Sequence, residues 1–348
     1  MSQGMSQNIF DYATSELSQD AFISLLIGWF DNEEEELHEL SKDFISELYT
    51  KYQINMIGNH NAKDLEIKSV KLRQQYHKID VYFEVETDEE TIPFIIEDKT
   101  WTEPHSDQLL RYTKKVSKDN AVKVFFKTGH ITEKDRNETK KASYIILDTL
   151  WLYDFLKNYH NINNLILKDY IDYIERNFYN KLYKNNSKKE LEDWEYTDAK
   201  EGYVQYAILE KIKHLTLGHN EPIPEYIRFT RNGKRWDTWW TCHLANDFSI
   251  FVKMKQLKEG HCLRLMEYSK KDFTLESKTD SLNKNIEITN NILKSIENSN
   301  IRVNKKPRYK ARESEIAIMN LSDPNSLEDA VKEFSVFLKK FIDNSSKI

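Results

Sequence analysis

The sequence of 348 residues predicts an α/β (α+β) protein: a mixed sheet flanked by helices, then a C-terminal antiparallel β-rich domain with helices. Three observations predict it. The apolar period changes from three-to-four to two near residue 65. A helical stretch then separates strand-like runs, as a crossover between parallel strands requires. Past residue 190, strand-like runs recur with turn residues between them.

The elements follow in chain order. From Ser15 to Phe30, Leu17, Ala21, Leu25 and Gly28 recur at helical spacing, and Phe22, Ile23, Leu26 and Trp29 widen the stripe. Leu37–Tyr52 repeats the pattern through Leu40, Phe44, Ile45 and Leu48. The acidic run Glu33–Glu36 suits a solvated helix start. Leu65, Ile67, Val70 and Leu72 mark a first strand. Ile79, Val81, Phe83 and Val85 alternate as a second, with Asp80 and Tyr82 on its other face. Ile92–Thr100 is a third, apolar first and charged at its end. A helix over Asp107–Val116, strands over Ala121–Lys127 and Ser143–Leu147, and a helix over Trp151–Tyr159 complete this part.

The polar stretch Tyr183–Lys189 is the candidate boundary, giving domains over 8–180 and 190–348. Beyond it come a helix over Tyr203–Leu217 and strands over Tyr226–Arg231, Arg235–Leu244, Phe248–Leu257 and Cys262–Tyr268. Asn232-Gly233 is a hairpin signal between the first two. Helices are expected over Leu282–Asn298 and Ser326–Ile342.

With 39% hydrophobic and 31% charged residues, the balance is that of a soluble globular chain, and 8 Gly and 6 Pro leave little for long linkers. No apolar run approaches the roughly 20 residues that span a bilayer, and no secretory signal is visible. A cytoplasmic location without membrane association is expected. Cys242 and Cys262 are too few for a disulfide framework. Residues 1–100 hold 8 Lys and Arg against 21 Asp and Glu, whereas the remainder is net basic. An acidic first part suits phosphate binding only if metal ions sit among its carboxylates.

Glu97 and Lys99 are separated by one residue near the end of the third strand, so they project to one face while Asp98 points away. If the second and third strands pair, Asp80 converges on the same place. Two carboxylates can hold a hard divalent cation, which lowers the pKa of a bound water, and an ammonium can orient that water or stabilise transition-state charge. The backbone carbonyl of Asp98 is an additional candidate ligand. A Glu and a Lys at a strand end also suit a plain surface ion pair. The apolar run before Glu97 places these charges at the mouth of a core.

The segments KIDVYFEV, FIIEDKT and DQLLRY resemble the PD-(D/E)XK nuclease superfamily, in its branch with RID…IIIENK…QLxxY-like motifs. The resemblance covers roughly residues 8–155 and implies a restriction-endonuclease-like core. It implies metal ligation by Asp80 and Glu97, with Lys99 as the catalytic ammonium and Gln108 as an accessory residue. Tyr112 lies one helical turn after Gln108. Members often add a Glu from the first core helix. Glu16 is the match here, although a first-turn acid equally suits that position, and Ser18, Gln19 and Asp20 are further candidates. Asp98 departs from the commoner Asn or Val, and Ile79 from the commoner Pro.

The resemblance implies a metal-dependent phosphodiesterase with Mg²⁺ as cofactor and Mn²⁺ substituting. DNA is the expected substrate, with a role in phage defence or DNA processing. The alternative is a non-cleaving nucleic-acid- or protein-binding module on the same fold. Around the expected hairpin, Arg231, Lys234, Arg235, Trp236, Trp239 and Trp240 combine cations with aromatic rings that could meet nucleic acid, but aromatics also fill the cores of small sheets. Tyr112 joins them as a nucleic-acid contact. The basic stretch Arg302–Arg312 suits a solvated loop or a phosphate-contacting arm. Cys242-His243 and His261-Cys262 have poor spacing for zinc, because adjacent strand residues face opposite sides. A homodimer through the C-terminal domain is a further expectation.

Overall fold

The computed structural model describes residues 8–12, 15–58, 65–73, 76–104, 107–116, 118–184, 194–217, 227–232, 235–244, 248–257, 260–269, 273–296 and 298–345. The chain divides into two units, Met1–Ser187 and Lys188–Ile348.

The first unit runs α1 (Ser15–Gly28), α2 (Glu35–Tyr52), β1 (Ser69–Arg73), β2 (Val81–Glu86), β3 (Thr91–Lys99), α3 (Gln108–Val116), β4 (Val122–Lys127), α4 (Glu133–Ala142), β5 (Ile145–Asp148), α5 (Thr149–Leu156) and α6 (Leu165–Ile174). The α6 helix continues in π-helical turns over Glu175–Lys184. The sheet order is β1-β2-β3-β4-β5. The β1–β2 and β2–β3 pairs are antiparallel, and β3–β4 and β4–β5 are parallel. Parallel neighbours need crossovers, and α3 and α4 supply them. The expected mixed sheet with flanking helices is therefore observed.

Strand alternation sorts the side chains of β3 onto two faces. Ile95 lies in one buried cluster with Tyr82, Leu109, Tyr112, Phe125 and Tyr144. Phe94 faces the other way, stacks on Phe83 at 4.5 Å between ring centres and is buried. Each such aromatic removes a large apolar surface from water, at about 25 cal/mol per Å². Both faces are thus dry, so the polar residues that end β3 enter a region of low dielectric.

Two helices of this unit were not legible. The α4 sequence, EKDRNETKKA, has no apolar stripe for periodicity to detect. A capping box defines it instead: Asp135 N donates to Thr132 Oγ1 and Thr132 N donates to an Asp135 carboxylate oxygen. Its left-handed C-cap, Ser143 at φ 60°, delays β5 from the expected Ser143 to Ile145. The α6 helix lies outside the segments predicted from the sequence, although Tyr170 and Ile174 recur at i and i+4 and both are buried.

The second unit runs α7 (Gly202–Leu217), β6 (Ile227–Asn232), β7 (Arg235–Leu244), β8 (Phe248–Leu257), β9 (Gly260–Ser269), α8 (Leu275–Lys294), β10 (Arg302–Val303), β11 (Glu313–Asn320) and α9 (Leu327–Ser345). Its sheet order is β10-β11-β9-β8-β7-β6, with every pair antiparallel. The antiparallel β-rich domain with helices is observed as expected. The sequence pattern missed β11, which lies between β9 and β10 and completes the sheet. Cys242 and Cys262 are buried on β7 and β9 with β8 between those strands. No described helix is long and apolar enough to cross a membrane.

Candidate active site

The end of β3 builds the site. Asp80 immediately precedes β2, and the β2–β3 register places Val81 opposite Ile96. Asp80 Oδ2 consequently reaches the β3 backbone and accepts from Asp98 N at 2.9 Å. The Lys99 ammonium lies 2.6 Å from Glu97 Oε1 and 3.3 Å from Asp80 Oδ2. It also donates to Asp98 O at 2.7 Å. One ammonium therefore bridges two carboxylates and a main-chain carbonyl.

Burial governs the electrostatics. Glu97 is fully buried, and loss of solvent raises its pKa to about 8 against the opposing pull of Lys99, while Asp80 adds to the rise. Burial disfavours charge on Lys99 too, but contact with Glu97 and Asp80 more than offsets it and keeps its pKa above the ordinary lysine value. Glu97 Oε2 is buried and has no hydrogen-bond partner among the described residues. An acceptor left in this condition is costly, and a proton, favoured by the raised pKa, or a metal cation would satisfy it.

Two residues of α3 support Glu97. Gln108 Nε2 donates to Glu97 Oε1 at 2.6 Å and to the Tyr112 hydroxyl at 3.1 Å. Tyr112 in turn donates to Lys78 O at 2.5 Å. Tyr112 is 6% exposed, so its ring belongs to the frame behind the site. The helical spacing of Gln108 and Tyr112 produces this relay.

On the opposite face of β3, Asp98 points toward α1. It accepts from Gln19 Nε2, and Gln19 Oε1 accepts from Thr128 Oγ1 at 2.8 Å. Asp20 stands beside Asp98. Burial and then the Asp80 charge raise the Asp20 pKa to about 6, while burial and the Asp20 charge drive Asp98 well above the carboxylate range. Glu16, in the first turn of α1, accepts from Thr102 Oγ1 at 2.6 Å and is held 3.5 Å from Thr100 N. Its charge reaches Lys99, but its carboxylate is tied to the exit of β3.

Lys99 thus joins Asp80 and Glu97, Gln108 joins Glu97 from α3, and Glu16 lies at the margin. The structure places Asp20, also a candidate in the sequence, beside Asp98. Its position one turn after Glu16, on the same helix face, was the available signal. Gly129 is a further structural participant. Its N–H donates to Thr100 O at 3.0 Å, and a Cβ there would fall 2.1 Å from that oxygen and 2.7 Å from the Trp101 ring. Trp236 and Trp239 are partly buried on β7, whereas Trp240 is fully buried there and fills the core of the sheet instead of meeting nucleic acid. The side chains of Arg231 and Arg235, and all of Lys234 and His105, lie outside the described residues.

The donor set suits a hard divalent cation. Asp80 and Glu97 supply carboxylate oxygen, Asp98 supplies a carbonyl, and Glu97 Oε2 is the buried atom without a partner. Among the described residues no group of three or more His, Cys, Asp or Glu is placed to hold a metal ion. Small cations such as Mg²⁺ are commonly held by one or two carboxylates, with water and phosphate completing the shell.

Residues 7–133 match the family described as the PD-(D/E)XK nuclease superfamily. The matched segment includes Asp80, Glu97 and Lys99. No curated protein matches the chain. Among solved structures, MspJI restriction endonuclease in complex with a 27-mer oligonucleotide is similar at 9% identity, covering 51% of this chain and 40% of that one, with a TM-score of 0.21. The chain spans less than half of that protein's length.

Proposed function

We propose that this protein is a divalent-metal-dependent nuclease that hydrolyses phosphodiester bonds, with DNA as its substrate. The observation that carries the reading is the contact of Lys99 with both Asp80 and Glu97, beside the unpartnered Glu97 Oε2. Asp80 and Glu97 are the proposed metal ligands. Mg²⁺ is the expected ion, with Mn²⁺ substituting, and when bound it polarises phosphate and acidifies water. Lys99 orients the attacking water and meets charge developing on the phosphoryl oxygens. Gln108 fixes the Glu97 carboxylate, and Tyr112 fixes Gln108. Glu16 and Asp20 contribute negative charge from α1, and Glu16 is the proposed supplementary ligand.

The first unit carries this chemistry in the proposed domain division, and the second engages substrate, a partner or another copy of the chain. Action in the cytoplasm, in phage defence or DNA processing, belongs to the same reading, as does a homodimer through the second unit.

Incubation of plasmid, linear DNA and RNA with Mg²⁺, Mn²⁺ or EDTA tests the proposal. Metal-dependent cutting of DNA that disappears in Asp80→Ala supports it. Cutting of RNA alone would replace the substrate. No cutting by folded, metal-supplied protein would favour the non-cleaving binding module.

A further inference from the structure

The C-terminal sheet has one face covered by helices and a second face. Helix α7 packs on β6 and β7, and α8 on β10 and β11. Trp240, Val252 and Leu265 form one cross-strand row and are completely buried. One position along, Trp239, Lys253 and Arg264 form the next row. By strand alternation this row projects to the opposite face, where all three remain partly exposed.

One hollow lies on that face, and a second adjoins it where β7 begins and β8 ends. The first, of about 370 Å³, is lined by the rings of Trp239, Phe251 and Tyr268. The other, of about 530 Å³, is lined by Trp236, Met266 and Arg264. Asp237, Lys253 and Glu313 border both. The Lys253 ammonium sits 5.8 Å from the centre of the Trp239 ring. It is 3.3 Å from Asp237 Oδ1 and 3.7 Å from Glu313 Oε2. Arg264 pairs with Glu315.

This chemistry defines the ligand. The cations are already matched by acids, so the face is not a continuous phosphate track. It offers aromatic surfaces with carboxylates and an ammonium at their edges. A flat ring with hydrogen-bonding groups on its rim is complementary to that arrangement, and a nucleobase is such a ring. A duplex keeps its base faces stacked, whereas an unpaired base can place its face on an aromatic side chain. Carboxylates accept from the amino groups of cytosine and adenine, while thymine presents a carbonyl oxygen in the equivalent place.

Resting on the reading that the chain acts on nucleic acid, we infer that this face binds two consecutive unpaired nucleotides of a single strand. The bases stack on Trp239 and Tyr268, and Asp237 and Glu313 favour bases that carry an amino group. Since Lys253 and Arg264 already have acidic partners, binding releases few counterions and its salt dependence is shallow.

Fluorescence anisotropy of the full chain with labelled oligo(dC), oligo(dT) and a duplex, in EDTA, tests the inference. Both the parent and its variants carry Lys99→Ala, so a failed cleavage reading leaves this readout intact. The expected order is oligo(dC) tightest, then oligo(dT), then duplex. Trp239→Ala and Tyr268→Ala each weaken oligo(dC) binding roughly 5- to 150-fold, the range for one lost stack. Trp239→Phe retains most of the affinity. Asp237→Asn, at a half-exposed position, narrows the preference for oligo(dC) over oligo(dT). No oligonucleotide binding by the parent overturns the inference and leaves the face to a protein partner. Duplex binding as tight as single-strand binding also overturns it, as does unchanged affinity in folded Trp239→Ala and Tyr268→Ala.

Discussion

Gln108 donates to the same Glu97 oxygen that Lys99 touches, from 2.6 Å away and from a different element of the fold. The first residue of α3 thereby sets the rotamer of a carboxylate on β3. If Glu97 holds metal, Gln108→Ala should raise the metal concentration needed for half-maximal cleavage by roughly 10- to 100-fold, the usual effect of removing such support. A metal titration of the cleavage rate checks this. An unchanged requirement would assign Gln108 to packing alone.

Gly129 fits where no other residue does. Its prospective Cβ meets a backbone oxygen at 2.1 Å, and backbone cannot rotate aside as a side chain can. Gly129→Ala should therefore displace the Thr100–Trp101 turn and destabilise the first unit by about 1–3 kcal/mol. Gly28 is the internal comparison, since it ends α1 with nothing within 4 Å of its prospective Cβ. Gly28→Ala should be neutral or stabilising by up to about 1 kcal/mol. Urea unfolding midpoints of both variants separate the two cases.

Lys127 and Asp135 form an ion pair in which both side chains are wholly buried. Burial lowers the Lys127 pKa, and Asp135 holds the proton in place. Asp135→Ala leaves that ammonium unpaired and removes a bond from Thr132 N, so the loss should be about 3–5 kcal/mol. Lys127→Met in the Asp135→Ala background should recover part of it. A double-mutant cycle from chemical denaturation measures the coupling, and simple additivity of the two losses would show that the pair does not act as a unit.

His130 gives the fold an acid-sensitive point. Burial, with Lys127 and Arg136 nearby, lowers its pKa to about 4 from an unfolded value of about 6.5. The unfolded chain then binds the proton more readily than the folded one. The stabilising contribution is full above about pH 6.5 and is lost as pH falls toward 4. The drop in melting temperature between pH 7 and pH 5 should be smaller in His130→Asn than in wild type. An identical drop would place the titration elsewhere.

The sequence made part of this site legible because strand geometry leaves few choices. Residues two apart on β3 must share a face, so Glu97 and Lys99 were bound to project together and Asp98 to point away. The turn between β2 and β3 then brought Asp80 opposite them. Helix α1 offers no such constraint. Glu16 and Asp20 share a face, and only the roll of α1 against the sheet decides that Thr102 engages the first while Asp98 neighbours the second. Helix α4 was hidden for another reason: capping and position on the sheet define it, with Ala142 its sole apolar residue. Strand β11 depends on a long-range pairing with β9, and that partner cannot be read from local pattern.

The most direct test compares plasmid cleavage by wild type and Lys99→Ala in Mg²⁺, with Mn²⁺ binding followed by calorimetry on the same preparations. The account predicts that wild type cuts and that Lys99→Ala, folded and still binding Mn²⁺, cuts at least about 100-fold more slowly. Cleavage by Lys99→Ala at the wild-type rate would contradict it.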